Sequence, residues 1–251
     1  MFGLSMGWRH LLFEHYAVDP AIIAERLPDS LAVDTFDGDA YLTVVPYLNV
    51  DVRPRGLPAR LGVALPELNL RTYVRHDGEP GVYFFTLDAE GVAGVLGGRL
   101  MHSLRYRYAD IDVDAEPLPD RHGSRVRFES RRRHPGAADA AYAATYEPTG
   151  GPVPPEPGSL TAFLTDRYRF FADGRRGLRT ARVAHGPWPL QPATATVERN
   201  DLFAAEGFEE PTGEPLRQYC RGVDVTTGTG ERAGASGSPG GADAGRSPAD
   251  D

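Results

Sequence analysis

Apolar and polar residues alternate over short runs, broken by glycine and proline, from Trp8 to Val225. Successive side chains on a strand point to opposite faces, so this period of two predicts β-structure. The runs fall at residues 8–16, 31–36, 40–52, 67–74, 82–87, 105–113, 125–130, 137–144, 167–171, 178–185 and 219–225. Asp37-Gly38, Asp173-Gly174 and His76-Asp77-Gly78-Glu79-Pro80 lie between runs and tolerate the left-handed backbone of tight hairpin turns. Residues 31–36 and 40–52 therefore read as one hairpin. Pro46 has no amide hydrogen for a ladder, which implies an edge or a bulge there.

Helix signals are few and short. Asp19 can cap a helix that Pro20 opens without loss of a hydrogen bond, with Ile22, Ile23 and Leu27 buried and Pro28 ending it. Asp88 can cap a second over residues 89–100, with Val92, Leu96 and Leu100 on one face. Gly91, Gly94, Gly97 and Gly98 each lower its propensity by about 1 kcal/mol. Ser159 caps a third, and a last lies near residues 201–206. Many strands with a few short helices predict an α+β fold, mostly antiparallel β.

Composition narrows the function classes. A chain of 251 residues, 41% hydrophobic, can bury one large core, expected over residues 1–225. Residues 226–251 contain no aromatic or large aliphatic side chain and read as a disordered tail. The net charge of −8 argues against a nucleic-acid partner, which selects a basic surface. Arg131-Arg132-Arg133-His134 reads as a solvated strand end. The opening residues lack a basic segment followed by an apolar stretch, and no apolar run reaches membrane-spanning length, so a cytoplasmic protein without a membrane partner is expected. Cys220, the one cysteine, reads as a buried packing residue. All 27 basic residues are arginine; without a lysine ε-amine, no Schiff base can form on a side chain.

Candidate chemistry concentrates in Glu67-Leu68-Asn69-Leu70-Arg71-Thr72-Tyr73-Val74. Alternation puts Glu67, Asn69, Arg71 and Tyr73 on one face. That face is either the wet side of an ordinary strand or a set able to hold a carboxylate or keto group, with Arg71 as clamp and Glu67 as acid or base. A second cluster comprises His102, Arg105, Tyr106, Arg107 and Tyr108; one of its alternating pairs faces inward and the other outward. The seven histidines show no HxxxH or HExxH spacing, and no GxSxG is present, so neither a metal nor a cofactor is expected.

Asp34-Thr35-Phe36-Asp37-Gly38-Asp39-Ala40-Tyr41, Pro66-Glu67-Leu68-Asn69-Leu70-Arg71-Thr72-Tyr73-Val74, Gly81-Val82-Tyr83-Phe84-Phe85-Thr86-Leu87-Asp88-Ala89, Phe163-Leu164-Thr165-Asp166-Arg167-Tyr168 and His185-Gly186-Pro187-Trp188-Pro189-Leu190 occur in an order that resembles the YqjF-like proteins, an uncharacterised family. That family looks like a branch of the acetoacetate-decarboxylase-like superfamily. The resemblance implies a closed, cone-shaped antiparallel β-barrel with a central cavity, into which Glu67 projects. It implies a Schiff-base lysine just after His102 in the decarboxylases, where this chain has Leu104-Arg105-Tyr106-Arg107, and proline in the family at the position of Arg105. The expectation is a cavity that takes a small anionic or carbonyl-bearing molecule through Arg71, Asn69, Tyr73, Arg105 and Tyr106. Glu67 and His102 would move protons in a hydratase- or lyase-like reaction; the alternative is a non-catalytic sensor with the same cavity.

Overall fold

The computed structural model describes residues 3–91, 106–119, 123–174 and 177–233. Its strands are β1 (Leu4–Val18), β2 (Ala32–Val33), β3 (Ala40–Pro54), β4 (Val63–His76), β5 (Glu79–Glu90), β6 (Tyr106–Pro117), β7 (Ser124–Arg132), β8 (Ala141–Pro148), β9 (Arg169–Gly174), β10 (Gly177–His185), β11 (Leu190–Asn200), β12 (Leu216–Thr227) and β13 (Glu231–Arg232). Three short helices, α1 (Pro20–Ala24), α2 (Leu160–Thr165) and α3 (Leu202–Ala205), and a 3-10 turn at Ala59–Leu61 complete the described chain. No helix among the described residues is long and apolar enough to cross a membrane.

All strands join one sheet, antiparallel except for β5 against β6 and β9. Its pairings return on themselves through β4, β5, β6, β7, β8, β11, β12, β1 and β3, a ring of nine strands. Leu12, Leu42, Leu68, Ile111, Val126, Phe128, Tyr142, Tyr146 and Tyr219 fill one core between the strands of this ring, and α3 adds Leu202 and Phe203. A second, smaller circuit leaves the ring at β5 and returns through β9 and β10 to β12. Both circuits share β12, β1, β3, β4 and β5. On β3, Leu42 and Val44 consequently join the first core, while Val45 and Tyr47 pack on the other face. That doubly buried wall positions the site.

Several local expectations change in the fold. Residues 31–36 do not form a hairpin with β3; β2 pairs with β4, and only the Phe36–Asp39 bridge closes the Asp37-Gly38 turn. The Asp34 amide donates to the Tyr73 carbonyl, and the Asp34 carboxylate pairs with Arg75 and Arg167, which draws the segment onto β4. Pro46 lies in an interior strand, not an edge, and the expected irregularity is a bulge in its neighbour. From Arg9/Leu48 to Glu14/Val44, β1 advances five residues (14 − 9) against four on β3 (48 − 44), and His10 takes φ 55°. In α1, Ile23 is buried but Ile22 is 41% exposed, and the helix ends at Ala24, well before Pro28. Asp88 caps no helix. It sits inside β5, fully buried, and accepts from the equally buried Arg132. Arg132 is therefore not part of a solvated strand end, although Arg131 and Arg133 are exposed. The helix predicted beyond Gly91 lies outside the described residues. The segment from Thr226 is in part ordered: β12 runs to Thr227, and β13 pairs with β10. β11 has no counterpart among the predicted strands.

Candidate functional site

The strands of the smaller circuit line a cavity of about 380 Å³. Alternation on β4 sends Val63, Leu65, Glu67 and Arg71 into it. β1 contributes Leu4, Met6 and Trp8, and β3 contributes Tyr47, Asn49 and Val52. Ser159 caps α2 through the Ala162 amide, and the end of this helix places Thr165 and then Arg167 at the cavity wall. The Trp188 indole donates to the Thr165 carbonyl at 2.9 Å, which locks the His185–Trp188 segment over the same space.

Glu67 is the cavity's buried acid. Its carboxylate accepts from the Tyr47 hydroxyl at 2.5 Å, the Tyr106 hydroxyl at 3.1 Å and the Asn49 amide at 3.3 Å. Burial raises its pKa above the ordinary carboxylate value, and the hydrogen bonds from Tyr47, Tyr106 and the asparagines oppose that rise. Burial and the adjacent carboxylate push both tyrosines well above their usual pKa. Glu67 is thus a satisfied carboxyl group that takes a proton more readily than an exposed one.

Arg71 differs from the other described arginines of the cavity, Arg167 and Arg169. Arg167 pairs with Asp34 at 2.6 Å and Arg169 with Glu79 at 2.8 Å. Arg71 makes no hydrogen bond and no ion pair with any described residue, and its Nε is buried without a partner. Its guanidinium carbon lies 5.4 Å from the centre of the Phe13 ring. Below it, fully buried His15 shares its Nδ1 with the Thr43 hydroxyl at 2.9 Å and the Tyr73 hydroxyl at 3.2 Å. Burial, and then the Arg71 charge, lower the His15 pKa to about 3. A neutral imidazole beneath Arg71 adds no second positive charge.

The predicted site residues separate in space. Glu67, Arg71 and Tyr106 line the cavity. Asn69 is buried between Glu67 and Arg71, and Tyr73 is sealed under the wall among Tyr41, Val82 and Phe170. Of the alternating pair, Tyr106 faces Glu67, whereas Arg107 turns away to Glu206 and Thr86. His102 and Arg105 lie outside the described residues. The sequence reading missed His15, Tyr47, Asn49, Arg167, His185 and Trp188. Tyr47 and Asn49 carried one usable signal, a polar pair two residues apart on a strand, which puts both on the face that register sets opposite Glu67 and Leu65.

The family DUF2071, described as an uncharacterized conserved protein, matches residues 5–224. The chain belongs to this family. The uncharacterized protein YqjF of Bacillus subtilis (strain 168) is 37% identical over 223 residues, which cover 88% of this chain and 89% of YqjF. Two solved structures share the fold at low identity. The enduracididine biosynthesis enzyme MppR, complexed with the condensation product of pyruvate and imidazole 4-carboxaldehyde, superposes with a TM-score of 0.64 at 14% identity and covers 91% of this chain and 88% of MppR. An acetoacetate decarboxylase-like enzyme from Sphingomonas wittichii RW1 reaches 0.62 at 17% identity, covering 92% of each. This DUF2071 protein therefore has the acetoacetate-decarboxylase-like fold, with arginine as its only basic residue besides histidine.

Proposed function

We propose that this DUF2071 protein is a cytoplasmic acid–base catalyst that binds a small anionic or carbonyl-bearing molecule in a closed barrel-like cavity. The observation that carries this reading is Arg71: a guanidinium facing a cavity without a described ion-pair or hydrogen-bond partner. A half-buried cation without a counter-ion is costly unless a ligand supplies one, and a guanidinium holds a carboxylate through paired hydrogen bonds. MppR, of the same fold, is described as complexed with pyruvate, which supports the ligand class. Glu67, with its raised pKa, suits the proton transfer. As a carboxylate it takes a proton from a carbon beside a carbonyl; as the acid it returns one to carbon or to a departing oxygen. Tyr47 and Tyr106 hold it in position. Schiff-base decarboxylation has no side chain to run on, because lysine is absent.

The test is a panel of keto acids and enols, followed by thermal shift and by turnover. Arg71→Ala should weaken the best ligand by about 1.5–3 kcal/mol, the worth of a hydrogen bond to a charged group. Glu67→Gln should leave binding nearly intact and abolish turnover. Equal binding by wild type and Arg71→Ala would sink the anchor. Binding without turnover of any panel member would make the protein a sensor.

A further inference from the structure

Along one face of β4 the cavity receives Val63, Leu65, Glu67 and Arg71 in that order. Cross-strand registers extend this order around the wall. Val52 stands opposite Val63, and Asn49 opposite Leu65; Tyr47 and Ala89 flank Glu67, and Thr43 and Phe84 flank Arg71. The cavity therefore has a cationic end, an acid at its middle, and an end lined by Leu4, Met6, Val52, Val63 and Leu65. Among the described residues, the polar side chains nearest that end are Asn49, which donates to Glu67, and Thr227, whose hydroxyl accepts from the Leu4 amide. The apolar end also reaches solvent, since Val63 is 54% exposed and Leu61, just before it, 57%. At the opposite end Thr165, Phe170 and Trp188 are buried.

Size and charge together restrict the ligand. A volume of about 380 Å³ equals roughly a dozen water molecules at about 30 Å³ each. A pyruvate-sized acid on Arg71 leaves most of it unfilled and never reaches Val63 or Leu65. Glu67 and Arg71 are four residues apart on one strand, a Cα separation of roughly 13 Å, which favours an extended ligand that engages both. We infer that the ligand is an amphipathic monocarboxylate, its head on Arg71 and its apolar chain or ring passing Glu67 into the Leu4–Met6–Val52–Val63–Leu65 end. This deepens the reading above and rests on Arg71 as anchor. With that orientation Glu67 acts on a carbon within the chain and not on the carboxylate itself.

Calorimetric titration of the full chain with acetate, hexanoate, decanoate and decanol, each below its aggregation limit, tests the inference. Burial of one methylene is worth about a three- to fourfold gain in affinity, so decanoate should bind at least about tenfold tighter than hexanoate, and tighter than decanol. Arg71→Met should weaken both acids about tenfold or more. Leu65→Trp, which fills the apolar end, should weaken decanoate and spare hexanoate. Leu65→Ser, a smaller change, should do the same by a lesser factor if the tryptophan variant fails to fold. Affinity that depends on Arg71 but is flat from acetate to decanoate overturns the amphipathic ligand and leaves the anchor standing. A chain-length gain indifferent to Arg71→Met, or no binding by any monocarboxylate, overturns the anchor as well.

Discussion

His15 is buried, with its Nδ1 engaged by Thr43 and Tyr73. Its pKa falls from 6.5 to about 3, first through burial and then through Arg71. Because the folded value is depressed, the stability that neutral His15 contributes is fully present above the unfolded pKa of about 6.5. It is lost as pH falls through that value toward about 3, since the unfolded chain takes a proton that the folded chain refuses. The slope is about 1.4 kcal/mol per pH unit for one such group. Urea unfolding from pH about 7 down to about 4.5 should therefore show a steeper loss for the wild type than for His15→Gln; identical slopes would mean that His15 titrates normally. The same residue shows what a sequence conceals at this scale. Glu67 and Arg71 stood out because four polar positions of one strand alternate with apolar ones. His15 has partners on β3 and β4, and no spacing within β1 announces them. His102 and Arg105, also singled out from the sequence, lie outside the described residues and stay expectations.

At the scale of elements, the strands with strong alternation were legible and those shaped by distant partners were not. β7 follows the pattern of its apolar residues, buried and exposed in strict alternation. β11 (LQPATATVERN) offers alanine and threonine in place of large apolar residues, and its Pro192 reads as a break; it is a strand because β8 and β12 supply ladders on both sides. Asp88 has the local chemistry of a helix cap, but Arg132 and Thr86 claim its carboxylate, so the strand continues. Irregularities are where local sequence and tertiary register must agree. Between Asn49/Leu65 and Val52/Val63, β3 advances three residues (52 − 49) against two on β4 (65 − 63), and Asp51 takes φ 54° at this bulge. Gly62 lies so close that a Cβ there would meet the Asp51 Cα at 2.4 Å and its carbonyl carbon at 2.5 Å. Both atoms are backbone and cannot swing aside, so Gly62→Ala must displace the bulge. A loss of about 1–3 kcal/mol, typical of overpacking, is expected in urea unfolding with an unchanged m-value. Since Val52 and Val63 flank the bulge and line the cavity, ligand affinity should fall with it. A variant as stable as wild type would show that the bulge relaxes freely.

For the whole molecule, the two circuits have different closures, and this makes the cavity separable from the core. The nine-strand ring closes through β12 against β1 over residues 216–226 and is filled by side chains from all its strands. The smaller circuit closes through three residue pairs, Val183 with Thr227, Ala184 with Thr226 and His185 with Val225, aided by β13 on β10. His185 and Thr227 are also cavity wall. Two shortened chains distinguish the contributions. One that ends at Ala233 keeps every described strand and discards only residues without an aromatic or large aliphatic side chain. Its melting temperature should stay within about 2 °C of the full chain, because a segment of that composition has little apolar surface to bury. One that ends at Asp224 removes all three β10–β12 pairs but keeps most of the β1–β12 ladder and the tyrosines of the main core. It should still unfold cooperatively, with a melting temperature lower by more than about 4 °C, where 1 kcal/mol corresponds to roughly 2–4 °C in a domain of this size. It should also lose the thermal shift that a bound carboxylate confers, because Thr227 is gone from the cavity wall and His185 is no longer tied to β12. If the Asp224 chain binds the ligand as the full chain does, the closure at β10–β12 does not form the site. In that case Arg71 and Glu67 would have to hold their ligand from the β4 wall alone.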